Sequence, residues 1–294
     1  MTRNLDTLLT ALYVFCDEHV TEPRRIGRPP KLGDAELLCL AIAQVLLGFP
    51  SARHWIRFAG SRLDHLFPYL PKQSGYNKRL NRAGPLISRT IQALAAQVPS
   101  WHDDLRLIDS TPLPCAASRE TVKRSALAAT AGYGYCRSHS RFFWGYRLYL
   151  VTTAEGMPLT WCLARPGIGE REVMTALLEA DHHLIRAGQV ILADKGFAGK
   201  EFESFVTGRL GAHLLRPDRR DEKPRHGRLA RVRQWIEAVI DTLKGQLGLE
   251  SHGGRTEVGV FARTGQRLLA LAAVIWHNWE TGAPVKRSLI AYDH

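Results

Sequence analysis

The apolar residues of this chain change period near residue 101, and that change decides which architectures are open to it. Up to about residue 100 they recur at helical spacing, and no stretch there reads as a strand. After residue 101 short apolar runs alternate or run continuously, as in "LRLIDS" (105–110), "RFFWGYRLYLVTT" (141–153), "MPLTWCLARP" (157–166), "QVILADKGFAG" (189–199) and "AHLLRPD" (212–218). Two amphipathic helices are expected among them, over 170–188, closed by Gly188, and over 229–247. Strands followed by alternating helix and strand imply a mixed α/β fold beyond an all-helical N-terminal region. The expected division is 1–100, 101–282 and a short tail, 283–294.

Within the helical region, "GDAELLCLAIAQVLLGF" opens with Asp34 as an N-cap and continues as a helix buried on most sides. "RRIGRPPKLG" (24–33) resembles the core of a minor-groove AT-hook over a few residues only, and its Pro pair is read as a rigid linker. "YNKRLNRAG" (76–84) fits either the turn of a helix-turn-helix or a solvated basic turn. The connection from Ser110 to Ser140 shows no clear strand or long helix; it carries Arg119, Lys123, Arg124 and Arg137, and loops of that length are more often functional than idle.

Charge narrows the partners. Forty Lys and Arg stand against 28 Asp and Glu, a formal net charge of +12 with a pI near 9.8, which favours a polyanion, nucleic acid above all. Residues 216–233 hold 8 basic and 3 acidic side chains, net +5, immediately before Glu237, and read as a loop that delivers DNA. The apolar run Leu37–Phe49 is too short to span a membrane, so no membrane is expected and the chain is placed in the cytoplasm, at the nucleoid. Five scattered cysteines without a CxxC suggest neither a disulfide framework nor a zinc ribbon; Cys136 and His139 are read as ordinary loop residues, and His182 and His183 as structural residues inside a helix. Phe142, Phe143, Trp144 and Tyr146 are read as core strand aromatics, although an aromatic beside scissile DNA could stack an unpaired base.

The acids are what an apolar sheet does not need. In "LRLIDST", Leu105, Leu107 and Asp109 share one side of the strand, so Asp109 continues a row of leucines; Asp194 ends the apolar "ILAD" before a lysine and a glycine. If those strands are neighbours, two carboxylates converge on one sheet edge and cannot both stay ionised without a cation between them. With Arg233 set at zero on the 229–247 helix, Lys244 falls at about 20° and Glu237 at about 40°, beside the apolar stripe, which makes Glu237 the candidate third acid. Oxygen ligands from separate elements suit Mg²⁺ or Mn²⁺ better than zinc. Each acid has an ordinary reading too, as a turn former, a helix cap or a surface side chain.

The ordered set "LIDSTPLP", "GYGYCRSHSRFFWGYRLYLVTT", "ILADKGF" and "RQWIEAVIDTLK" resembles the DDE transposases of bacterial insertion sequences, over roughly residues 101–280, and "HLFPYLPKQSGYNKRLNR" is similar to their N-terminal part. The last helix matches their Tyr-x2-Arg-x3-Glu-x6-Lys pattern at Arg233, Glu237 and Lys244, with Ala230 where the pattern has Tyr. The resemblance implies an RNase H-like catalytic core, with Asp109, Asp194 and Glu237 binding two Mg²⁺ ions, for which Mn²⁺ can substitute. It also implies that Arg233 and Lys244 contact phosphates of the transposon end. Lys123, Arg124, Arg137, Arg219, Arg220, Arg225 and Arg228 join them as expected DNA contacts. The implied activity is cleavage at terminal inverted repeats and transfer of the 3′-hydroxyl into target DNA, by a dimer or higher assembly. Rival readings are a metal-dependent nuclease that does not join strands and a non-catalytic, DNA-binding element remnant.

Overall fold

The computed structural model describes residues 3–20, 30–136, 140–218 and 229–292, with the backbone alone for residue 3 and residues 230–233. The chain forms two compact units, Pro99–Thr242 and Met1–Val98 with Leu243–His294. The chain thus leaves the sheet-bearing unit after Thr242, whereas the sequence reading kept it there to residue 282.

The helical unit is built from α1 (Arg3–His19), α2 (Asp34–Leu46), α3 (Ala52–Arg62), α4 (Gln73–Arg82), α5 (Gly84–Ala96) and, from the far end of the chain, α10 (Glu257–Glu280). α10 is long and apolar enough to cross a membrane, but it packs against α1, α2, α4 and α5 as their core helix, and nearly all of its residues from Gly259 to Asn278 are buried. Among its buried polar groups, Gln266 donates to the Ala41 carbonyl at 2.7 Å and to Gln44 Oε1 at 3.2 Å, which also accepts from the Tyr76 hydroxyl at 2.7 Å. Tyr76 is fully buried in α4, so "YNKRLNRAG" is a helix with a core face and not a turn. Asp34 is not the N-cap of α2 either. Gly33 takes that place, its N–H donating to Glu36 Oε2 at 2.5 Å, while the Asp34 carboxylate pairs with Arg79.

The sheet unit follows in the order β1 (Leu105–Ala116), α6 (Arg119–Arg124), β2 (Gly132–Cys136), β3 (Arg141–Thr153), β4 (Pro158–Ala164), α7 (Glu170–Ala180), β5 (Val190–Leu192), α8 (Lys200–Ser204), β6 (His213–Leu215) and α9 (Ala230–Asp241). One six-stranded mixed sheet results: β3 pairs antiparallel with β1, β2 and β4, while β5 pairs parallel with β1 and β6 parallel with β5. The supposed thirty-residue loop is therefore mostly ordered, holding the end of β1, all of α6 and all of β2.

β1 runs through Pro112 and Pro114 for a reason that lies in its neighbours. β5 accompanies β1 only from Leu105 to Leu107, so beyond that point one edge of β1 is open. The nitrogens of Ser110, Pro112 and Pro114 alternate onto that edge, where a missing donor costs nothing, and the Ser110 N–H is taken by the Asp109 carboxylate at 2.7 Å. β1 then bulges between Pro114 and Ala116, and the backbone there presses so closely on Gly145 that any Cβ would meet the Leu113 carbonyl oxygen.

The amino ends of β1 and β5 are fastened together. The buried Gln189 donates from Nε2 to the Asp103 carbonyl at 2.8 Å and accepts from the Arg186 N–H at 2.8 Å, and the Val190 N–H reaches the Asp104 carbonyl at 2.7 Å. Arg106, 1% exposed, turns its guanidinium onto the carbonyls of Trp101, at 2.7 Å, and Asp103, at 3.0 Å; burial pulls its pKa down to about 10.

Two expected helices are shorter than their periodicity. α7 stops at Ala180, where Asp181 accepts a hydrogen bond from the Thr160 hydroxyl, and the exposed His182 and His183 sit in a 3₁₀ turn that follows. α9 ends at Asp241 and gives way to a π-helical turn over Thr242–Gln246.

In the helical unit His277 is buried, and its Nδ1 lies 2.7 Å from the Tyr292 hydroxyl, which in turn donates to Asn278 Oδ1 at 2.9 Å. Burial holds the imidazole below its ordinary pKa. The unfolded chain therefore takes up a proton at a higher pH than the folded one, so this group's contribution to stability is complete above the unfolded pKa of about 6.5 and is lost as pH falls below it. Thermal unfolding followed between pH 7.5 and pH 5 is expected to show a larger loss of stability for the wild type than for His277→Gln; parallel curves would contradict this assignment.

Candidate active site

Three register pairs place the first two acids. Leu107 of β1 is partnered with Leu192 of β5, and Asp109 and Asp194 each lie two residues further on, with Asp194 itself in extended backbone. Side chains two apart share a face, so the two carboxylates project from the same face at the carboxyl ends of adjacent parallel strands. Both are half-buried. Each also shapes its own backbone: Asp109 Oδ1 accepts from the Ser110 N–H at 2.7 Å, and Asp194 Oδ1 accepts from the Lys195 N–H at 2.7 Å as the cap of a 3₁₀ turn over Lys195–Phe197. The ordinary reading as a cap thus holds for Asp194.

Glu237 lies on α9, which packs against β1. Its neighbours Ile236 and Val239 are buried, while Glu237 is exposed at the border of that stripe, as the helical spacing implies. The donor chemistry of the three carboxylates fits a hard divalent cation. Among the described residues, however, no three His, Cys, Asp or Glu side chains stand close enough together to hold a metal ion, so the trio is not gathered into a finished ligand set.

The basic residues divide. Lys123 and Arg124 are exposed on α6, 3.2 Å and 3.9 Å from the Glu120 carboxylate. Lys244 does not continue the helix of Glu237: it lies in the π-helical turn and pairs with Glu250 at 3.2 Å, so the 100° step that set it beside Glu237 does not apply. Arg137, Arg219, Arg220, Arg225 and Arg228, with His139, fall outside the described residues, as does the side chain of Arg233. Arg216, counted with the basic loop, is 7% exposed and bound to Glu203 at 2.7 Å, so its charge is spent inside the fold.

A second group at the same strand ends escaped the sequence reading. On the opposite face of the sheet Arg147 of β3 donates to Glu170 at 2.5 Å and to the Ser110 hydroxyl at 3.2 Å, and a Cβ on Gly196 would lie 3.2 Å from Glu170 Oε2. Tyr149, on the same side of β3 as Arg147, is fully buried; burial, with the nearby Glu170 charge, raises its pKa. Glu170 begins α7, so the cluster ties β1, β3, α7 and the turn after Asp194 together behind the two acids. Nothing in the spacing of Arg147 and Glu170 announces the pair; only the acid in the first turn of a helix was visible, and that is a common dipole contact.

No curated protein matches the chain. Among solved structures, a cryo-EM structure of a piggyBac transposase synaptic complex with hairpin DNA is similar at a TM-score of 0.46 and 9% sequence identity, over 98% of this chain and 75% of that one. The family model described as the transposase DDE domain matches residues 100–273, more than half of the 294, a span that holds Asp109, Asp194 and Glu237 together, and the chain belongs to that family.

Proposed function

We propose that this transposase-family protein cleaves the phosphodiester at the ends of a DNA element and joins the freed 3′-hydroxyl to target DNA, in one site formed by Asp109, Asp194 and Glu237. The observation that carries the reading is the shared face and matching register of Asp109 and Asp194 on adjacent parallel strands. Two carboxylates so placed repel each other and offer hard oxygen donors, which favours divalent cations between them. Glu237 supplies the third donor from α9, above β1. Bound there, Mg²⁺ or Mn²⁺ would activate a hydroxyl and neutralise the charge that develops on the leaving oxygen.

The part played by the chain itself is positional. The parallel pairing and the Gln189 bridge hold the two aspartates at a fixed separation, and the Arg147–Glu170 pair braces the strand ends from behind. Arg233 and the basic segments around Lys123 and over 217–233 hold the phosphates of the DNA, while Lys244, paired with Glu250, is left out of that set. The antiparallel β1, β3 and β4 followed by parallel β5 and β6 support an RNase H-like reading of the sheet, with the helical region as the part that holds the terminal repeats. Two ends must be brought together, so the working form is a dimer or higher assembly on DNA.

Asp109→Asn and Asp194→Asn keep the shape of the site but remove one donor charge each. Each is expected to lower cleavage of a terminal-repeat duplex by at least about 100-fold, several kcal/mol of barrier, while leaving binding of that duplex within a few-fold. Equal loss of cleavage and binding would make the acids structural. A pre-cut end with a 3′-hydroxyl, incubated with plasmid and Mn²⁺, should give joined product; cleavage without joining would favour a nuclease. Affinity for the duplex should fall steeply as salt is raised from about 50 to 200 mM, since phosphate contacts release counterions, and a flat response would contradict the role given to the basic segments.

A further inference from the structure

The β2–β3 hairpin exposes aromatic rings that the core does not use. Tyr133 is 62% exposed, Tyr135 43% and Phe142 78%, and register pairs Tyr135 with Phe142 and Tyr133 with the buried Trp144, so the rings line one face of the hairpin. The Tyr135 and Phe142 rings lie 4.9 Å apart. The other face is closed by the chain itself. A Cβ at Gly134 would come within 2.6 Å of Pro166, and one at Gly132 within 2.8 Å of Arg165, so the glycines let these residues press against the strand and hold the rings outward.

The exposed face is also the face of Asp109, because Asp109 pairs with Leu150 and the even-numbered residues of β3 from Leu150 to Phe142 share a side. The segment 117–131 crosses this face, with Thr130 bonded to the Tyr146 hydroxyl at 2.5 Å and Leu127 buried beneath it. That segment carries Arg119, Lys123 and Arg124 against Glu120 alone, net +2, all of them exposed, and Arg141 stands exposed at the start of β3. Rings in a row beside cations match bases and phosphates, whereas a second copy would set one positive face against another.

We propose that Tyr133, Tyr135 and Phe142 form a stacking platform for unpaired nucleotides of DNA, with the phosphates held by the basic 117–131 segment. The proposal rests on the transposase reading and adds to it a second, single-stranded contact remote from the acids. The test uses the full chain and a fluorescein-labelled mixed-sequence oligonucleotide, single-stranded or annealed to its complement. Tyr135→Ser and Phe142→Ser should each weaken single-strand binding about tenfold, and Phe142→Trp should retain it, with duplex binding changed less than about twofold. Equal loss on both DNAs, or no loss on the single strand, overturns the platform. So does a dimer that the same substitutions break with DNA affinity unchanged. A wild type that binds the single strand through these rings but never cuts would sink the transposase reading and leave the platform standing.

Discussion

Three residue pairs between β1 and β5 decide where Asp109 and Asp194 fall. With Leu105, Arg106 and Leu107 set against Val190, Ile191 and Leu192, the acids two positions beyond fall on one face at neighbouring strand ends. A slip of one residue would send one carboxylate to the opposite face, so the proposed site depends on this register. Three pairs are few to fix it. The bonds of Gln189, Arg186 and Val190 to the carbonyls of residues 102–104 add a clasp at the amino ends, and the Arg147–Glu170–Ser110 group adds another behind the carboxyl ends.

Five of the six strands, the shared face of the two acids and the helix bearing Glu237 were legible from the sequence because each rests on local periodicity. An apolar run that ends on Asp is visible whatever its neighbours. What was not legible depends on partners distant in sequence. Pro112 and Pro114 argue against a strand until it is known that β5 stops at Leu192 and frees that edge of β1. "GYGYC" shows no clear strand until Pro166 and Phe143 are seen to require glycine at 134. α10 mixes Arg263, Gln266, Arg267 and Asn278 into an apolar helix, and the acceptors for their N–H groups come from contacts inside the helical unit that no local pattern announces.

The last long helix shows how a periodicity argument fails without being foolish. Over 229–247 the 100° step groups Arg233, Glu237 and Lys244, and for Glu237 the step is right: it borders the buried Ile236 and Val239. Beyond Asp241 the backbone widens to a π-helical turn, in which each residue turns through less than 100°, and the phase carried forward from Glu237 is lost by Lys244. Lys244 meets Glu250 instead. A motif can therefore be intact in sequence while its members part in the fold: Glu237 keeps the placement that the spacing assigns and Lys244 does not.

Net charge explains attraction to DNA but not where DNA lies, since +12 spread over 294 residues has no direction. Direction comes from the sheet. Along β3, Leu150 stands beside Asp109 and Phe142 lies eight residues away on the same side, about 26 Å at a strand rise of about 3.3 Å per residue. On that face the protein sets carboxylates at one end, exposed rings at the other, and a basic crossing segment over the strand between them. A polyanion drawn to the cations is thereby aligned along β3, with one part near the acids and another near the rings. The opposite face, occupied by Arg147, Glu170 and α7 and closed over the hairpin by Arg165 and Pro166, offers no such path. On the proposed reading, a single choice of side chain parity along β3 thus serves both the placement of the acids and the orientation of the DNA.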